Sequence, residues 1–135
     1  MKQIIDLNEQ VKKSITNLEK ECELVGNKLK HIYFERFKSL EAILSIDLVR
    51  VQKGKPVGEE KVFAEEYESY LEVGIEEDEE YFPNAYIPIW KCKQEWFQLV
   101  GYISECDSKL IEKKLNSILE DMLTERIDDM EGQMK

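Results

Sequence analysis

One apolar stripe constrains this chain more than any other feature of its sequence. Between Ile4 and Leu48 an apolar residue recurs every three or four positions. The members of the stripe are Ile4, Leu7, Val11, Ile15, Leu18, Cys22, Val25, Leu29, Tyr33, Phe37, Leu40, Leu44 and Leu48. The mean step of about 3.67 residues is close to the period of a straight α-helix. The sequence therefore predicts one long amphipathic helix over residues 1–50.

Gly26 and Asn27 lie in the middle of this stripe and offer an alternative. A glycine followed by asparagine is a common helix stop, and a stop here would turn the stretch into a helical hairpin. The stripe nevertheless keeps its phase through Cys22, Val25 and Leu29. We therefore expect a continuous helix, in which Gly26 costs about 1 kcal/mol relative to alanine.

The section over residues 59–104 has a different composition and follows a turn segment rich in glycine and proline at 54–58. Ten of the thirteen aromatic residues lie between Phe63 and Tyr102. The predicted elements are a short helix over 59–70, a loop over 77–84, and three strands of an antiparallel meander over 71–76, 85–92 and 96–104. The last of these segments is also compatible with a helix, because short apolar runs are ambiguous.

A second helix is predicted over residues 107–131, capped by Asp107 or Ser108. The expected fold is a single α+β domain over residues 1–135, with a long N-terminal amphipathic helix, a small central antiparallel β-meander and a C-terminal helix packing back on the first. Because the second helix is only about half as long as the stripe, the uncovered half predicts a homo-oligomer, such as a dimer. The predicted oligomer interface is Val11, Ile15, Leu18, Cys22, Val25 and Leu29.

The charge of the chain is concentrated in one segment. The formal net charge is −10, and residues 59–80 alone hold eleven acids against one lysine, Lys61. Such a segment disfavours direct binding to nucleic acid.

No apolar run approaches the roughly 20 residues of a membrane span, and the first residues lack an apolar signal segment. Three cysteines with no repeated spacing fit reduced thiols. We therefore expect a cytoplasmic protein with no membrane contact.

Familiar enzyme motifs are missing from the sequence. The chain has no glycine-rich phosphate loop, no Gly-x-Ser-x-Gly elbow and no zinc-binding Cys/His pattern, and His31 is the only histidine. The acidic run over residues 76–80 lacks the alternating ligands and central glycine of a calcium loop. We therefore predict no catalytic residue, no metal site, no cofactor and no enzyme activity.

Two functions remain. The first is an intracellular binding protein of the inhibitor or immunity type, in which the acidic middle section imitates nucleic acid and engages a basic surface on another protein. Its predicted partner-binding residues are Glu72, Glu76, Glu77, Asp78, Glu79 and Glu80, with Tyr81, Phe82 and Tyr86 as aromatic anchors. The second is a helical self-assembling adaptor, chaperone or structural protein, in which the long helix is the functional surface.

Overall fold

The computed structural model describes residues 1–133, which form two helices and one six-stranded sheet. In chain order the elements are β1 (Lys2–Ile4), α1 (Glu9–Lys38), β2 (Ile43–Gln52), β3 (Lys55–Pro56), a single 3₁₀ turn (Glu59–Lys61), β4 (Tyr67–Glu77), β5 (Glu80–Glu95), β6 (Gln98–Ile103) and α2 (Ser108–Gln133). The predicted α+β class is confirmed, with an N-terminal helix, an antiparallel sheet and a C-terminal helix that packs on the first.

Helix α1 is shorter than predicted but continuous. It begins where the Asn8 side chain accepts a hydrogen bond from the Val11 amide at 3.0 Å, it runs through Gly26, and it ends at Lys38. The predicted extent over residues 1–50 is wrong at both ends, because residues 2–4 and 43–52 are strands. Leu40, Leu44 and Leu48 stand four residues apart, and a step of four satisfies both the helical period and the two-residue period of a strand.

Gly26 lies where α1 packs tightly against the sheet. A Cβ at this position would lie 3.0 Å from Ile46 Cγ2 and 3.6 Å from Leu71 Cδ2. Ile46 belongs to β2 and Leu71 to β4, so the absent side chain lets the helix axis pass close to two central strands. The glycine that suggested a helix stop is therefore a packing feature inside the helix.

The sheet is wider than the predicted meander. All its pairings are antiparallel, and the strand order is β1-β6-β5-β4-β2-β3. The predicted helix over 59–70 and the predicted loop over 77–84 are wrong. The first contains only a 3₁₀ turn before β4 begins, and the second is a tight hairpin in which Asp78 and Glu79 both have positive φ, at 53° and 67°. Two consecutive residues of positive φ match the twist of the flanking strands, as in a type I′ turn.

Helix α2 matches its predicted bounds closely and runs parallel to α1. Its N-terminus is capped by Asp107, whose carboxylate accepts from the Leu110 amide at 2.9 Å. Contacts between the helices keep a nearly constant sequence offset: Lys28 pairs with Glu112, and Arg36 pairs with Glu120. The two helices can be parallel because strands β2 to β6 lie between them in the sequence and carry the chain back to the same end of α1.

Both helices cover the same face of the sheet, and the apolar stripe is buried there. Ile15, Cys22 and Leu29 are at most 2% exposed, whereas Val11, Leu18 and Val25 are partly buried against the same core. The expectation of an uncovered half-stripe is therefore wrong, because β2 and β4 supply the cover that a lone second helix lacks. The predicted homo-oligomer stays a prediction, but it no longer follows from the stripe. Over residues 1–133, neither helix lies on the opposite face of the sheet.

Candidate protein-binding face

The face of the sheet away from the helices combines carboxylates with tyrosines. Side chains alternate between the two faces along β2 and β4, and the pairing of β4 with β5 shows which β5 residues share a face with them. We call it the acidic tyrosine face, and its members are Asp47, Glu68, Tyr70, Glu72, Glu76, Tyr81 and Tyr86.

Two carboxylates of this face lie directly opposite each other. Asp47 on β2 is the cross-strand partner of Glu72 on β4, and like charges in this position destabilise a sheet. The Ser45 hydroxyl donates to Asp47 at 2.6 Å. Within residues 1–133, no lysine or arginine forms an ion pair with either carboxylate. The centre of the face therefore carries negative charge that the protein itself does not neutralise.

Tyr81 lies across the sheet surface next to this pair of carboxylates. A Cβ on Gly74 would lie 2.5 Å from the Tyr81 hydroxyl oxygen, so the ring occupies the space that only a glycine leaves open. Burial, together with the nearby carboxylates of Glu72 and Asp47, raises the pKa of Tyr81 to about 12. The hydroxyl is therefore protonated at neutral pH and remains able to donate a hydrogen bond.

Tyr70 and Tyr86 form an aromatic pair beside a cavity. Their ring centroids are 5.6 Å apart and their planes meet at 65°, which is the edge-to-face arrangement. The cavity has a volume of about 300 Å³, and its lining includes Met1, Glu68, Tyr70, Tyr86, Pro88 and Lys91. Burial raises the pKa of Tyr70, and the carboxylates of Glu72 and Glu68 raise it further, which indicates a negative potential around its ring.

The structure divides the nine residues predicted to bind a partner. Glu72, Glu76, Tyr81 and Tyr86 come together on the acidic tyrosine face, and Asp78 and Glu79 form the hairpin turn at one end of it. The other three do not belong to this face. They are Glu77, which pairs with Arg126 of α2 at 3.3 Å, Glu80, which lies opposite Glu77, and Phe82, which lies opposite the partly buried Ile75.

Three members of the face are absent from the sequence-based set, namely Asp47, Glu68 and Tyr70. Asp47 fell within the predicted long helix, and the other two fell within the predicted short helix over 59–70. The signal that identifies Glu68 and Tyr70 is a two-residue alternation that starts at Tyr67, four residues before the start of the predicted strand. No local sequence pattern identifies Asp47, because it joins the face only through the pairing of β2 with β4, which puts it opposite Glu72.

The turn between β5 and β6 carries two aromatic residues that the sequence did not single out. Trp96 is 92% exposed and Phe97 is 98% exposed, and Trp96 has a positive φ of 55°. They follow Glu95, the last residue of β5, whereas the acidic hairpin turn precedes Glu80, its first residue. The signal available in the sequence is a pair of large aromatics between polar residues, with no glycine or asparagine to mark the turn.

One buried carboxylate, that of Glu19, lies on the helix side of the sheet and has a structural role. Glu19 of α1 is fully buried and accepts hydrogen bonds from the Tyr67 hydroxyl at 2.6 Å and from Arg50 Nε at 3.2 Å. Burial, followed by the hydrogen bond to Glu19, raises the pKa of Tyr67. A buried carboxylate is tolerated only when it is paired and hydrogen-bonded, and these two contacts meet that need for Glu19. They also connect α1 to β2 through Arg50 and to β4 through Tyr67.

Reactive groups elsewhere in the described chain are few. Burial raises the pKa of Cys22 to about 12, so this cysteine remains a thiol rather than the nucleophilic thiolate. His31 lies on the exposed side of α1. Across residues 1–133, no three histidine, cysteine, aspartate or glutamate side chains are grouped closely enough to hold a metal ion.

Comparison of the chain with protein-family models, with curated proteins and with solved structures finds no match. Neither α1 nor α2, over the residues described, has an apolar stretch of the length that crossing a bilayer requires.

Proposed function

We propose that this protein acts in the cytoplasm by binding a basic surface of another protein through the acidic tyrosine face, without catalysing a reaction. Inhibitors and immunity proteins that occupy a nucleic-acid site work in this way, with carboxylates in the place of phosphates. The single observation that carries the proposal is the Asp47–Glu72 pair, two facing carboxylates with no basic partner among residues 1–133. All three cysteines are free, which is consistent with a reducing compartment.

The energetics of such a complex follow from the charge and the aromatic content of the face. A lysine or arginine of the partner would relieve the repulsion between Asp47 and Glu72, so the interaction gains more than an isolated surface ion pair would. The unneutralised charge also accelerates encounter with a basic partner at low salt. Tyrosine is enriched among the residues that dominate binding energy, and Tyr86 is 64% exposed in the free protein.

The alternative function, self-assembly through the long helix, receives no such support. The side chains that were expected to form its interface are buried or partly buried in the protein's own core. Ile15, for example, is fully buried and would have to leave the core to contact a second copy.

The proposal is tested with a variant that reverses the charge of the face, Asp47→Lys/Glu72→Lys/Glu76→Lys. The matched control, Glu21→Lys/Glu23→Lys/Glu35→Lys, makes the same change in net charge at exposed positions of α1. Each tagged protein is used for affinity purification from the native host, and the partner captured by wild type is then titrated against all three proteins at several salt concentrations.

We expect wild type and the control to bind the same basic partner, and the face variant to bind it at least about 100-fold more weakly, because three attractive contacts become repulsive. The wild-type affinity should fall steeply as salt is added. Equal binding by wild type and the face variant would contradict the proposal.

A further inference from the structure

The cavity beside Tyr70 and Tyr86 has the size and the lining of a site for one organic cation. We infer that it accepts the side chain of a lysine or arginine of the basic partner, an inference that rests on the proposed function and names a contact within it. The volume of about 300 Å³ lies at the lower end of the range for small-molecule pockets, which suits one long side chain better than a larger ligand.

The aromatic lining favours a cation over an apolar group. Tyr70 and Tyr86 meet edge to face at 65°, so the edge of one ring covers part of the face of the other, and the remaining ring surface is left to line the cavity. The electron-rich face of a tyrosine ring attracts an ammonium or guanidinium group within about 6 Å, and the attraction grows as the group loses water. Tyr86 is 64% exposed at the mouth of the cavity, and Tyr70 is partly buried deeper in the sheet.

Carboxylates add to this preference. Glu68 lines the cavity, and Glu68 and Glu72 stand two residues before and after Tyr70 on the same face of β4. Both carboxylates raise the pKa of Tyr70, as negative charge near a tyrosine hydroxyl does. A cation that enters the cavity would therefore meet aromatic faces and unneutralised negative charge together.

Lys91 is the one lysine or arginine in the lining, and its ammonium contacts an aromatic ring rather than a carboxylate. Its Nζ lies 5.6 Å from the centroid of the Tyr102 ring on β6, the neighbouring strand. In the described structure its ammonium forms no ion pair with Glu68, although the two residues are cross-strand partners. The Lys91–Tyr102 pair shows the same cation–π contact that we infer for the incoming side chain.

The test uses three capped tripeptides that differ only at the central residue: glycine-lysine-glycine, glycine-arginine-glycine and glycine-norleucine-glycine. Norleucine has the four-carbon side chain of lysine without its ammonium group, so it reports apolar filling alone. Each peptide is titrated to about 10 mM into the whole protein, and binding is followed by NMR chemical shifts of the tyrosine rings, since contacts of this kind have dissociation constants in the millimolar range.

We expect the lysine and arginine peptides to shift the Tyr70 and Tyr86 ring signals and the norleucine peptide to leave them unchanged. Tyr86→Ala should weaken peptide binding by about 5-fold or more, whereas Phe97→Ala, which removes a more exposed aromatic outside the cavity, should not change it. Equal shifts with norleucine, shifts elsewhere on the protein, or no shifts at 10 mM would each overturn the inference.

The outcomes separate this inference from the proposed function. If the charge-reversed face variant loses the partner while wild type ignores the lysine and arginine peptides, the acidic tyrosine face binds the partner and the cavity is not the site of a side chain. If the peptides bind in the cavity while the face variant keeps the partner, the cavity is a cation site and the proposed function is wrong.

Discussion

At the residue scale, several turns of this protein place residues other than glycine or asparagine in the left-handed region of backbone conformation. Among residues 1–133, six residues other than glycine have positive φ, namely Glu41, Lys53, Glu66, Asp78, Glu79 and Trp96. Each lies in a turn or connection between regular elements. A left-handed backbone costs a residue with a side chain roughly 1–2 kcal/mol, and glycine or asparagine usually relieves that cost. These positions are therefore strained, and apart from Asp78 and from Lys53, which precedes Gly54, their residue types do not mark a turn in the sequence.

Replacing Trp96 by asparagine should stabilise the protein by about 0.5–1 kcal/mol. The reason is that asparagine tolerates a φ of 55° better than tryptophan does, and a side chain that is 92% exposed has almost no packing to lose. The measurement is the free energy of unfolding in urea. Phe97→Asn is the control, because Phe97 is equally exposed but has no positive φ. An equal gain from both substitutions would refute the strain at Trp96.

At the element scale, the position of α1 depends on one glycine. Gly26 brings the helix against Ile46 of β2 and Leu71 of β4, and the sheet in turn encloses the apolar stripe of the helix. The same helix is tied to α2 by the Tyr33 hydroxyl, which lies 3.0 Å from Asn116 Oδ1 and 2.9 Å from Glu120 Oε1 and can donate its one proton to either oxygen. α1 thus packs against the sheet along one side and against the parallel helix α2 along another.

Gly26→Leu should destabilise the protein by about 1–3 kcal/mol or more, although leucine is a much better helix former than glycine. The leucine side chain would have to displace Ile46, whose Cγ2 would already lie 3.0 Å from an added Cβ. Asn27→Leu, at the exposed neighbouring position, should change stability by less than about 0.5 kcal/mol. Thermal unfolding followed by circular dichroism measures both, and a stabilised Gly26→Leu protein would disprove close packing at this point.

At the scale of the whole molecule, the two faces of the sheet have separate roles. One face is covered by both helices and holds the core, while the other keeps its carboxylates unpaired by any base in the described chain. A protein of net charge −10 gains solubility from such a face but loses stability through self-repulsion. The proposed binding of a basic partner would give a reason for keeping a pair of facing acids at this cost.

Asp47→Asn should therefore stabilise the free protein by about 0.2–1 kcal/mol at low salt, because it removes one of two facing carboxylates and retains an oxygen that can accept from Ser45. The gain should shrink at about 0.5 M salt, which screens the repulsion that the substitution removes. Glu23→Gln, an exposed acid on α1, is the control and should have no such effect. Unfolding in urea at both salt concentrations measures the difference. A gain that does not depend on salt would show that charge repulsion is not its cause.

Local periodicity in the sequence determined the class of the protein and its clearest elements. The stripe predicted a helix through Gly26, the segment after Asp107 predicted the second helix, and the alternation over 71–76 predicted a strand that β4 contains. These predictions succeed because each depends on residues a few positions apart. They fail where one spacing serves two periods, as at Leu40, Leu44 and Leu48, and where turns lack glycine.

Only the tertiary structure decided which face of the sheet the helices leave uncovered. The pairing of β2 with β4 places Asp47 opposite Glu72, and the packing of both helices on one side leaves that pair on the open side. The cavity likewise depends on Tyr70 and Tyr86 meeting across two strands. Strand register and helix placement arise from contacts between residues far apart in the chain, and a local pattern carries no information about them.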